Sequence, residues 1–179
     1  SKGIGLSIAK LFFANNYRVF ICSRNPLDPN DLKDMHGDCL HFELDLSDEA
    51  SVKSCAKLIF KEEKRIDALI NCAGQAVGGS FLMTSIKELS NIFTINYFNT
   101  LLFTQYIVKK MIRRRSGVVV NISSTAGILA DKGTVSYGGS KAALIHATKV
   151  LASELGAYGI RVNAIAPSVV ETDMAKQMD

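Results

Sequence analysis

Gly117-Val118-Val119-Val120-Asn121-Ile122-Ser123 is a nearly continuous apolar run, entered through glycine and left through polar residues. A short β-branched run with this punctuation reads as a strand buried on both faces. Downstream, residues 137–158 carry a helical apolar pattern, and residues 161–165 (RVNAI) form the next strand. Upstream the alternation repeats. Strands are expected over 18–23 (RVFICS), 39–44 (CLHFEL) and 67–71 (DALIN). A first helix covers 6–13 and stops at Asn15-Asn16; a second starts with Ser47 as its cap and runs to about 64; a third spans 86–114 without a break. Residues 25–38 contain Pro26 and Pro29 and read as loop. Strands alternating with helices predict a parallel sheet covered on both sides, and right-handed crossovers make it a doubly wound α/β sheet. Ligands bind such sheets beyond the carboxyl ends of the strands.

With 179 residues, 1–179 forms one domain with a sizeable core. The net charge of +4 is too mild to argue for nucleic acid, and no apolar run reaches the ~18 residues that cross a bilayer. Cys22, Cys39, Cys55 and Cys72 lie far apart without a CxxC pair, which reads as reduced thiols in the cytoplasm. His36, His41 and His146 lack metal-ligand spacing, so no metal is expected. Arg113-Arg114-Arg115 is the one charge run; it either complements a helix C-terminus or meets an acidic partner.

The residues that carry chemistry fall after strands or at helix starts. In Tyr137-Gly138-Gly139-Ser140-Lys141 a tyrosine and a lysine stand four residues apart, about one helical turn, so both project from one face. Free tyrosine titrates near pH ~10, and a nearby ammonium favours the phenolate. The pair can therefore give and take a proton near neutrality. The same spacing also occurs on plain helix surfaces, so its meaning comes from its neighbours. Ser124, ending a strand, could donate to a substrate carbonyl oxygen or simply make a turn. Asn96 sits inside an apolar helix, either at its surface or held for a polar task. Gly3 and Gly5 allow a backbone to approach a pyrophosphate at a helix N-terminus. Ser23-Arg24 follows a strand where an arginine suits a ribose 2′-phosphate and an acid would suit a free hydroxyl; Lys2 could reach the same group. Asp45 follows the next strand and is either a cofactor contact or a loop acid; Asn71-Cys72-Ala73-Gly74 follows the third with small residues that permit close approach.

Taken together, SKGIG (Ser1, Lys2, Gly3, Ile4, Gly5), DLSD (Asp45, Leu46), NCAG (Asn71 to Gly74), TIN (Asn96), NISS (Ser124), YGGSK (Tyr137, Lys141), RVNAIAP (Pro167) and ETDM (Thr172) resemble the short-chain dehydrogenase/reductase family. Within it, the chain is most similar to 3-oxoacyl-acyl-carrier-protein reductases and related carbonyl reductases. The resemblance implies a Rossmann fold and NADP(H) as cofactor. It implies that Tyr137 is the proton donor in reduction, that Lys141 lowers its pKa and holds the nicotinamide ribose, that Ser124 orients the substrate oxygen, and that Asn96 binds a relay water. Val170 and Thr172 would hold the carboxamide, and Lys2 and Arg24 the 2′-phosphate.

The chain departs from the family pattern at Cys72, which stands where a second asparagine is usual, and at Ser168, which stands for a glycine. Of two basic positions that meet an acidic carrier protein, Arg115 fits one and Tyr158 occupies the other. The expected activity is reduction of a ketone, most simply a 3-oxoacyl thioester. The alternatives are an NADP-linked enzyme for a sugar, steroid or other secondary alcohol, and a non-catalytic NADP-binding scaffold. The family further implies a homodimer or tetramer, a first strand before Ser1, and a C-terminal portion with a lid beyond Asp179. Residues 1–179 alone are expected to be unstable and inactive, because a missing central strand exposes two sheet edges. A cooperative thermal transition with measurable NADPH turnover would refute that.

Overall fold

A computed structural model describes residues 2–28, 30, 35, 37–168 and 170. The chain alternates as expected: α1 (Gly3–Ala14), β1 (Val19–Ser23), β2 (Cys39–Glu43), α2 (Glu49–Glu62), β3 (Ala68–Asn71), α3 (Ile86–Phe93), α4 (Asn99–Arg114), β4 (Gly117–Ile122), α5 (Val135–Gly156) and β5 (Ile160–Ile165). Every strand pairing among the described residues is parallel. The parallel sheet lies in two ladders, as expected of a sheet without its central strand: β1 pairs with β2, and β3, β4 and β5 form a second ladder in that order. Packing joins the two ladders. Phe20 and Cys22 of β1 and Phe42 of β2 pack against the core that contains Leu69 of β3 and Val119 of β4.

Strand alternation sorts the layers. Phe20 and Cys22 point into this main core, and Ile21 between them points into a smaller cluster with Ala9 and Leu27. The main core is floored by α2 and α4, which pack on each other through residues such as Ile59, Ile107 and Met111. Each such side chain contributes about 1.5–3 kcal/mol on leaving water. On the other face α1 packs on β1, and α5 on β4 and β5.

Two local expectations change. The cap of α2 is Asp48, not Ser47: its carboxylate accepts from the amides of Ala50 (2.9 Å) and Ser51 (3.2 Å). Ser47 instead gives both its hydroxyl, at 2.7 Å, and its amide, at 2.8 Å, to Asp45 Oδ1. The unbroken helix expected over 86–114 contains a π turn at Thr94–Phe98. Such turns insert one residue and frequently mark functional sites. The side chain of Asn96, inside it, turns away from the helix to bond the Gln75 backbone twice at 2.8 Å. Arg115, in the left-handed region (φ 54°), ends α4.

Asn71 and Asn121 face each other across the β3–β4 ladder. Asn71 Nδ2 donates to Asn121 Oδ1 and to Thr104 Oγ1 of α4, each at 2.8 Å. Asn121 Nδ2 donates at 2.8 Å to Thr148 Oγ1 of α5. One buried polar chain thus ties both helical layers to the sheet. Replacing Asn121 by alanine would take one partner each from Asn71 and Thr148, leaving them only Thr104 and Leu144; we expect Asn121→Ala to lower stability by about 1–3 kcal/mol, read as a reduced denaturant midpoint. An unchanged midpoint would mean that water replaces the network.

Candidate active site

The start of α5 is pressed against a 3-10 turn, Thr125–Gly127, that follows β4. Gly138 makes this possible: a Cβ there would stand 2.5 Å from the Ala126 carbonyl oxygen. The helix begins at Val135, two residues earlier than the sequence suggests, so Tyr137 and Lys141 both lie within it. Tyr137 is 9% and Lys141 4% exposed. The ammonium lies 5.8 Å from the centre of the Tyr137 ring and donates to the Ile122 carbonyl at 2.9 Å. Burial lowers the Lys141 pKa to about 8, weakly opposed by the Cys72 thiol.

Asn96 stands beside the same ammonium. A Cβ on Gly74 would lie 3.1 Å from Asn96 Oδ1 and 3.4 Å from Lys141 Nζ, so only glycine leaves that space free. Asn96 Nδ2 also donates to Ser140 Oγ at 3.0 Å, and Ser140 donates to the Tyr137 carbonyl at 2.7 Å. Asn96 is therefore a buried and fully engaged amide, which decides against the helix-surface alternative. Ser124 is extended (φ −161°) and its oxygen accepts from the Ala126 amide at 3.2 Å, which leaves its O–H to donate elsewhere. Tyr137, Lys141, Asn96, Gly74 and Cys72 are thus gathered at the carboxyl ends of β3 and β4, with Ser124 at the adjoining turn.

A second group collects at the ends of β1 and β2. Ser23 Oγ donates to the Asn25 carbonyl at 2.8 Å and lies 2.9 Å from His41 Nε2. Arg24 is exposed. The Asp45 carboxyl is held below its usual range, first by hydrogen bonds from Ser47 and, to a smaller degree, by the charge of Arg24. Asp45 is accordingly a turn acid near Arg24, and Leu46 is buried with its carbonyl accepting from Asn99 Nδ2 at 2.9 Å. Gly3, Ile4 and Gly5 open α1, which links the two groups: a Cβ on Gly5 would be 3.4 Å from Cys72 Sγ. Burial raises the Cys72 thiol pKa.

The remaining expected contacts are placed as follows. The Asn71 side chain is turned into the sheet network, so only its backbone remains for a ligand. Ala73 and Val170 are exposed, and the Pro167 carbonyl accepts from the Thr125 amide at 2.9 Å. Ser1 and Thr172 lie outside the described residues. Arg115 does not project freely: its Nη2 donates to the Ala157 carbonyl at 2.6 Å, at the C-terminus of α5. The sequence reading missed an open groove of about 390 Å³ beside Gly138, walled by Phe81, Ile128, Leu129 and Val135. These residues come from loops and a helix start, where no periodicity announces a shared surface.

The buried ammonium opposes folding. Below pH ~8 Lys141 carries its charge in both folded and unfolded chains, and the whole desolvation penalty applies. Between that value and the ordinary lysine range the unfolded chain binds the extra proton, so this residue's contribution to stability rises with pH. Lys141→Met is expected to be about 1–4 kcal/mol more stable than wild type at pH 7, with the margin narrowing toward pH ~10. Paired melts across that range would show it; a margin independent of pH would refute it.

The whole chain, residues 1–179, matches the short chain dehydrogenase family. It is 31% identical over 183 aligned residues to the 3-oxoacyl-[acyl-carrier-protein] reductase FabG of Chlamydia pneumoniae, covering all of this chain and 74% of that protein. It is 33% identical over 178 residues to carbonyl reductase family member 4 of Xenopus laevis, covering 99% of this chain and 75% of that protein. Among solved structures, ElxO with NADP bound superposes with a TM-score of 0.92 at 30% identity, over 98% of this chain and 73% of that one. No helix among the described residues is long and apolar enough to cross a membrane. A parallel α/β sheet, a tyrosine and a buried lysine sharing one helix face, and this breadth of similarity lead to one assignment: the chain is an oxidoreductase of the short-chain dehydrogenase family.

Proposed function

We propose that residues 1–179 act as one NADPH-dependent reductase domain whose substrate is a ketone, a 3-oxoacyl thioester first of all. The observation that carries this reading is the Tyr137 phenol above the buried Lys141 ammonium. The residues present suit the cofactor: α1 offers its N-terminal amides behind Gly3 and Gly5, and Arg24 offers an exposed cation for a 2′-phosphate. When bound, NADPH supplies the hydride that the ketone carbon accepts. Tyr137 gives its phenolic proton to the ketone oxygen, which balances the reduction to an alcohol. Lys141 places its charge beside that phenol and reaches the nicotinamide ribose. Ser124 aims its free O–H at the same oxygen. Asn96 is assigned to the water relay that returns a proton through Lys141. Lys2, Ser23, Asp45, Leu46 and the backbone of residues 71–74 line the adenosine side and the centre, and Pro167, Val170 and Thr172 the carboxamide.

The acyl-thioester assignment rests on the names of relatives such as FabG and on the basic residue Arg115. A second reading, a small-molecule carbonyl reductase, is favoured by the geometry around Arg115. Its guanidinium is held by Ala157, and the neighbouring position is Tyr158 instead of a second cation. The apolar groove beside Gly138 suits either substrate. We place the protein in the cytoplasm, as a homodimer or tetramer that covers the exposed Phe98 of the π turn and Val150 of α5.

The test, run on the parent chain with the first strand and C-terminal portion that the family implies, is loss of NADPH absorbance with acetoacetyl thioester, beside NADH and a simple ketone. NADPH-specific consumption of the thioester is expected, and Tyr137→Phe should slow it about 10²–10⁴-fold without loss of NADPH binding. Reduction of the simple ketone alone would select the second reading. NADPH binding without turnover over a broad ketone panel would make the protein a scaffold.

A further inference from the structure

The end of β4 and the first turns of α5 hold each other by two hydrogen bonds that run in opposite directions. Lys141 Nζ donates to the carbonyl of Ile122 at 2.9 Å. Ser123 Oγ donates to the main-chain carbonyl of Lys141 at 3.0 Å. The strand partners are consecutive residues, and both helix groups belong to one residue. Ser123 is 4% exposed, and its amide donates to Ile165 of β5 at 2.7 Å, so its position is set by the sheet.

The Ser123 bond is more than the helix requires. A mid-helix carbonyl already accepts from the amide four residues on, and its second lone pair is ordinarily left alone. Removing the hydroxyl therefore leaves no orphaned backbone group and only a small stability loss. What the bond does set is the height of Lys141 along β4. A lysine stem is flexible, and where its ammonium rests depends on where its Cα stands. Among the described residues, the groups around that ammonium are the Tyr137 ring on its own helix, the Cys72 thiol after β3, and the neutral Asn96 amide of the π turn. None of these is a carboxylate that could hold the ammonium by charge.

We propose that Ser123 is a positioning residue: by holding the Lys141 carbonyl it sets the height of the ammonium at Ile122, beneath the Tyr137 ring, from which it serves both the phenol and the nicotinamide ribose. The proposal rests on the reductase reading above. Without the strut the ammonium samples more open positions farther from the phenol, where burial no longer holds the Lys141 pKa down near 8 and the charge persists to higher pH.

The experiment is a pH–rate profile of ketone reduction by wild type, Ser123→Ala, Ser123→Thr and Tyr137→Phe, with melting temperatures recorded alongside. Ser123→Ala is expected to lose about tenfold in kcat at pH 7 and to keep its KM for NADPH. Its alkaline limb should move up by about half a pH unit or more. Its melting temperature should change little, and Ser123→Thr, which restores the hydroxyl, should recover the wild-type profile. An unchanged kcat, or a loss of activity with an unmoved alkaline limb, would overturn the proposal while Tyr137→Phe remains inactive. Full activity in Tyr137→Phe would overturn the reductase reading itself.

Discussion

The pairing of Asn71 with Asn121 across two parallel strands is the constraint on which the site depends. A parallel ladder alone fixes register weakly when the strands are short apolar runs, because valine can slide past valine at little cost. Here the two amides meet only in one register, and each passes a hydrogen bond on to a threonine of a different helical layer. Slippage by one residue would turn the amides to opposite faces of the sheet and leave buried polar groups without partners. The depth of α5 on the sheet follows from this lock, and with it the level at which Tyr137 and Lys141 meet the strand ends.

Set on that frame, the site trades stability for chemistry. A lysine ammonium is taken almost wholly out of water and met by a carbonyl instead of a carboxylate. A carboxylate partner would have stabilised the charge and raised the lysine pKa, but it would also have cancelled the field felt by the phenol. A neutral carbonyl fixes the ammonium in place and leaves its charge effective toward Tyr137. Asn96 and Ser140 serve the same end, since they satisfy each other and the nearby backbone with no further charge.

Much of the architecture is legible in local patterns. The apolar runs around Ile21, Leu69 and Val119 have the length and composition of two-sided strands, and the helices follow their apolar stripes. What escaped notice depends on partners distant in sequence. Asn71 ends a strand and so reads as a ligand contact, yet its amide is turned inward toward residues 33 and 50 positions away. The π turn has ordinary helical composition; it is made visible only by Gln75 and Ser140 on either side of Asn96. Ser47 and Asp48 are both good caps, and the structure uses Asp48 while Ser47 joins the turn of Asp45, a pairing that composition does not distinguish.

The π turn has an evolutionary consequence. Ahead of it, α3 lies against α5; beyond it, α4 lies against α2 and the sheet. One residue of helix is about 100° of rotation. Loss of a single residue between Thr94 and Phe98 would therefore swing one of these helices off its partner, however well the remaining residues were matched. Substitutions can drift here one at a time, but a change in length cannot, so this segment acts as a ruler for the chain between the two layers.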